Sequence, residues 1–161
     1  MALSDVSNIL WRERQLLELL VFKLEEEQLV LAAGRSRWLS HATREVESVL
    51  GEIKRVELER AVQVADAGRE LGLSDAPTLS ELASLTPAPW DGIFTEHRRA
   101  LLALAQEIDT ITKSNRELLQ RGHQAAREAL ASMGEIDIDA YDARGVLPDR
   151  SLMLRIVDEA I

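Results

Sequence analysis

WDGIFTEHRRALLALAQEIDTITKSNRELLQRGHQAAREALASMG, residues 90–134, is the stretch whose reading decides the fold. Apolar or small residues return every three or four positions through Phe94, Leu101, Leu104, Ile108, Ile111, Leu118, Gly122, Ala125 and Ala129, which is the spacing of one face of a helix. At ~1.5 Å per residue that helix is ~65 Å long, several times the ~11-residue mean of globular helices, so something comparably long must lie against it. Asn115 interrupts the seam. Beyond it the residues become small, and Leu119, Ala126, Leu130 and Met133 add a second apolar row. A first half dense in Leu and Ile and a second half of small residues flanked by Leu and Met reads as a core element that ends in a groove. Such grooves accept amphipathic helices.

Two earlier segments supply the long neighbours. Leu3, Val6, Leu10, Leu17, Leu20, Leu24 and Leu31 keep a three-four spacing, with Glu13 and Glu27 on the same register. Ser4 or Asp5 is positioned to cap the start of this helix, and Gly34 to end it in the left-handed conformation. A second helix, about Ser36 to Leu73 with Ser36 as its expected cap, carries Leu39, Ala42, Val46, Val49, Ile53 and Val56. The short connection at Gly34 makes the two antiparallel neighbours. After Val56 the register lands on Arg60, so the stripe is expected to shift to Leu58, Ala61, Val62 and Ala65 as a stutter. Residues 74–92 hold Pro77, Pro87, Pro89 and Gly92, and Thr78 stands three before Glu81 in a capping-box pattern for a short crossover helix. The expectation is an all-α, elongated antiparallel three-helix bundle or coiled coil. Its bundle domain covers 1–134. Residues 135–161 form a C-terminal tail, mobile at its start, with a short amphipathic helix through Leu152, Ile156, Val157 and Ala160. That tail has the spacing to lie in the chain's own groove or in a neighbour's.

Composition agrees with helical packing. Two Phe, three Trp and one Tyr among 161 residues are too few for a typical sheet-based core, and the three Trp are expected to pack near helix ends and the crossover. The formal charge of −9, from 28 acidic and 19 basic residues, disfavours nonspecific binding to nucleic acid or to a membrane surface. Protein partners remain. With no cysteine there are no disulfides, thiolate metal sites or thiol nucleophiles. MALSDVSNILWRER is no secretory signal, and the apolar run at 16–24 is broken by Glu18 and Lys23 and too short to span a bilayer, so a cytoplasmic protein is expected.

Catalytic constellations are not found. His41, His97 and His123 fall in separate helical regions without the spacing of a zinc motif, and His97 reads as a satisfied, partly exposed histidine. Asp137, Asp139 and Asp142 begin like a calcium loop, but Asp142 stands where its glycine belongs and Pro148 where its final Glu does. Glu25, Glu26 and Glu27 read as a hydrated face. No enzyme, cofactor or metal is expected. Asn115 either fixes register inside the bundle or meets a partner's backbone, and both readings stand.

Several runs in order resemble the FlgN-type flagellar export chaperones, in particular their actinobacterial branch. They are Leu10-Trp11-Arg12-Glu13-Arg14, Leu16-Leu17-Glu18-Leu19-Leu20, Phe22 to Leu29, and Gly34-Arg35-Ser36-Arg37-Trp38-Leu39, followed by Arg44-Glu45-Val46-Glu47, Pro89-Trp90, Asn115-Arg116-Glu117-Leu118-Leu119 and Tyr141-Asp142-Ala143-Arg144-Gly145. The resemblance covers most of the chain and leaves the final PDRSLMLRIVDEAI unassigned. It implies a cytosolic chaperone that holds hook-associated (hook-filament junction) proteins of FlgK and FlgL type, prevents their premature assembly and delivers them to the type III export apparatus. The family's later helix is the part associated with substrate binding. Here that maps onto Asn115, Leu118 and Leu119 and the stretch behind them, Gly122, Ala125, Ala126, Ala129, Leu130 and Met133. A structural coiled-coil subunit of a stable complex is the alternative, and monomer or homodimer stays open.

Overall fold

The computed structural model describes residues 2–133, which form four helices: α1, Ala2–Ala32; α2, Ser36–Leu71; α3, Leu79–Leu85; and α4, Trp90–Ser132. The tail expected to hold a short helix through Leu152 and Ile156 lies outside the described residues. Described residues contain no strand. α1 packs along both α2 and α4, while the short α3 lies on α4. The shared element is therefore the first helix, although the longest hydrophobic seam in the sequence belongs to the last.

The inner face of α1 follows the expected spacing, with Val6, Leu10, Glu13, Leu17, Leu20, Leu24 and Glu27 all buried. Each fully buried Leu contributes roughly 2 kcal/mol relative to solvent exposure, enough in sum to hold long helices that are marginal alone. α1 begins at Ala2, ahead of both Ser4 and Asp5. It ends as expected: Gly34 has φ 65°, its N–H reaches Leu31 O at 3.1 Å, and the Arg35 N–H reaches Val30 O at 3.1 Å. The expected cap Ser36 is instead the first helical residue of α2, because this tight turn already satisfies the end of α1 and leaves Arg35 as the flanking residue, with no side-chain cap.

In α2 the expected stutter does not occur. Arg60 keeps the seam and is buried, its Nη1 donating to both Glu13 carboxylate oxygens at 2.8 and 3.0 Å, and Ala67 follows on the inside. Leu58 is 71% exposed, and Ala61 and Val62 also face outward. An arginine neutralised by a facing carboxylate can hold a core position that a reading of apolar residues alone assigns to a break. Gly68 is where α2 meets the crossover: a Cβ there would collide with the Ser74 carbonyl oxygen and the Pro77 ring. α3 has the expected capping box, with the Glu81 N–H donating to Thr78 Oγ1 at 3.2 Å and the Thr78 N–H donating to Glu81 Oε2 at 2.7 Å. Leu79 and Leu82 anchor it in the core.

Cross-helix bonds give the directions. Arg12 with Glu59, Glu13 with Arg60, Lys23 with Glu45 and Glu27 with Thr43 make α1 and α2 antiparallel. Ser7 with His97, Leu24 with Asn115 and Gln28 with Ser114 make α4 run parallel to α1, at sequence separations of 86 to 91. Up, down and up again is the topology that a structured crossover allows.

Candidate functional site

The offset between α1 and α4 creates the candidate site. α1 ends at Ala32, so the separations of 86 to 91 place that end beside residues 118–123 of α4. α4 continues to Ser132, and the last ten or so residues, ~15 Å of helix, pass beyond the turn between α1 and α2. Up to that point α4 buries Phe94, His97, Leu101, Ala105, Ile108, Thr112 and Asn115 in steps of three and four. Carried on at the same steps, the stripe runs through Leu119, level with the end of α1, and then through Gly122, Ala126, Leu130 and Met133 as α4 passes beyond that end.

The exposures agree with this geometry. Leu118 and Leu119 are half-buried at the last level that α1 reaches, Gly122, Ala125, Ala126 and Ala129 are exposed, Leu130 is half-buried, and Met133 is 73% exposed. Six of the nine residues singled out by sequence thus share the projecting end of one helix, with Leu118 and Leu119 at its root. The expected groove is an open helix face whose second wall an incoming helix would have to supply. Leu104 and Ile111 of the expected seam are half-buried at its edge, with Ala105 and Thr112 taking inner positions.

Asn115 is the ninth residue and lies inside the bundle at 0% exposure. Its Nδ2 donates to Leu24 O at 2.9 Å and to Glu27 Oε1 at 3.2 Å, while Thr43 Oγ1 donates to Glu27 Oε2 at 3.2 Å. One buried carboxylate thereby ties α1, α2 and α4 together. Asn115 takes the register-fixing role and is corrected out of the contact face, because both of its donor hydrogens are already used within the chain. Burial pushes the Glu27 carboxyl above its ordinary range, and the Asn115 and Thr43 donors pull it partly back. Glu27 is accordingly no part of a hydrated acidic face.

A second polar layer lies near the other end. His97, expected to be partly exposed, is 1% exposed: Nε2 lies 3.1 Å from Ser7 Oγ, the ring meets the Trp11 edge with centroids 5.1 Å apart, and the Arg14 guanidinium lies 4.1 Å from the Trp11 ring centroid. Burial first, and the nearby Arg14 charge second, lower its pKa to about 4, so the imidazole is neutral at physiological pH. Burial likewise raises Glu13 to about 7 against the opposing pull of Arg60, with Glu57 adding to the rise. Both layers sit between helices.

Among the described residues no group of three or more His, Cys, Asp or Glu is placed to hold a metal ion, and no helix is long and apolar enough to cross a membrane. Asp137, Asp139 and Asp142 lie outside the described residues. A family model described as FlgN protein matches residues 1–148. No curated protein and no solved structure matches the chain.

Proposed function

Because the chain belongs to the FlgN family of flagellar export chaperones, we propose that it holds hook-associated proteins of FlgK and FlgL type in the cytoplasm and delivers them to the type III export apparatus. The observation that supports this reading is the continuation of the α4 core stripe, through Leu119, Gly122, Ala126, Leu130 and Met133, past the end of the helix that covers it. Small residues let a second helix approach closely, and the Leu and Met side chains flank it and adapt to its shape. A client segment that is itself amphipathic gains an apolar wall there and loses the surface through which it would self-associate. The face is short, which suits a contact that must be released at the export gate. A permanent coiled-coil subunit would need its main seam filled by another chain, whereas here α1 fills the α4 seam from Phe94 to Asn115.

Calorimetric titration with the C-terminal segment of a hook-associated protein tests the proposal. The wild-type chain should bind one segment reversibly, and Leu130→Asp should weaken binding at least tenfold, ~1.4 kcal/mol, while leaving the helical circular dichroism unchanged. Unchanged affinity would place the client elsewhere on the molecule.

A further inference from the structure

The uncovered stripe has a candidate occupant within the chain. Residues 149–161, DRSLMLRIVDEAI, fall outside the family match, which ends at 148. They carry Leu152, Met153, Ile156, Val157 and Ala160 at three-four spacing on a background of Asp149, Arg150, Arg155, Asp158 and Glu159. That is the spacing of an amphipathic helix, with Leu154 and Ile161 lying off the main apolar face. We propose that residues 149–161 dock as a helix along the projecting end of α4 and compete there with a client, so that the chain screens its own binding face when no client is present.

Three observations favour this occupant. The first is length: Gly122 to Met133 and residues 150–161 are twelve positions each, ~17 Å as helix. The second is reach. Fifteen residues, 134–148, separate the end of the described chain from the segment and span up to ~50 Å when extended, ample for a return antiparallel to α4. A tether of that length holds the segment at an effective concentration of order millimolar, far above that of any second copy at working dilution. The third is charge. The segment's own charge is only −1. A second copy would bring −9 to meet −9.

The inference adds regulation to the binding face of the preceding section, and its primary test requires no client. Hydrogen exchange on the full chain is compared with that of Ile156→Asp/Val157→Asp, a double substitution on the apolar positions of the docking segment. The expected result is exchange about tenfold faster at amides 119–132 in the variant, with 94–115 unaltered, and slow exchange restored by excess synthetic peptide of residues 149–161. Equal exchange in the two chains overturns the proposal. Protection of 119–132 that disappears on dilution also overturns it, because the cover is then a second copy. Titration of a client peptide gives an independent arm: release from competition should tighten its binding about tenfold in the variant. If exchange responds and the client still fails to bind either chain, the docking of 149–161 stands and the client assignment falls.

Discussion

The two halves of α4 carry the same hydrophobic rhythm and meet opposite fates. From Phe94 to Asn115 the inner positions are sealed against α1. From Gly122 to Met133 the same steps continue onto surface that lies past the end of α1. The residue sizes change where the cover ends: Phe, Leu and Ile inside give way to Gly and Ala outside, with Leu and Met at intervals. Large side chains gain by burial within the chain, whereas small ones lose little when exposed and permit close approach of another backbone. Amphipathicity alone does not separate a core from a docking face. What separates them is the length of the neighbouring helix.

The sharpest break should come from the packed half's polar supports. Arg60→Ala leaves the buried Glu13 carboxylate without its partner and should destabilise the fold by about 3–5 kcal/mol in urea titration. Leu101→Ala, opening a cavity at a fully buried position, should cost about 2–5 kcal/mol, whereas Leu130→Ala on the projecting half should stay within about 0.5 kcal/mol of wild type. Equal losses at Leu101 and Leu130 would show the two halves to be packed alike.

Titration separates the polar layers. Glu13 is raised from 4.5 to about 7, so its contribution is fully present below pH 4.5 and is lost as pH rises towards 7 and beyond. His97 is lowered from 6.5 to about 4, so its contribution is present above pH 6.5 and is lost as pH falls towards 4. The two slopes oppose each other between pH 4.5 and 6.5. Urea midpoints of His97→Gln should rise on acidification from pH 7 to 4.5, and those of Glu13→Gln should fall from pH 6.5 to 4. Parallel profiles for the two variants would contradict this assignment. The smallest effect concerns the projecting half itself. A Cβ at Gly122 meets nothing within 4 Å, so Gly122→Ala should stiffen that end by up to ~1 kcal/mol, read as slower local exchange with no shift of the global midpoint.

Much of this arrangement is legible in the sequence. The seams of α1 and of the first half of α2, the turn at Gly34 and the capping box at Thr78 follow from local spacing and stereochemistry, which one chain segment carries by itself. The features that escape are relational. Arg60 looks like a break until Glu13, on another helix, is seen to neutralise it. Asn115 is ambiguous between register and recognition until Leu24 and Glu27 are found opposite. Ser36 resembles a cap, yet the turn at Gly34 puts Arg35 in the flanking position and Ser36 inside the helix. The projection of α4 lies between these cases: its greater length can be read from the seam, but the direction of the excess depends on α4 running parallel to α1 from a matched start.

That parallel start makes the molecule a ruler. Exposed Asn8, beside the first turns of α4, and the middle of the projecting end near residue 127 are separated by about 29 residues of helix rise, ~45 Å. A fluorophore at Asn8 therefore leaves the far end sterically untouched, yet sits within energy-transfer distance of a dye carried by whatever docks there. Arrival and departure of cargo become readable from the opposite pole, without labelling the surface it uses.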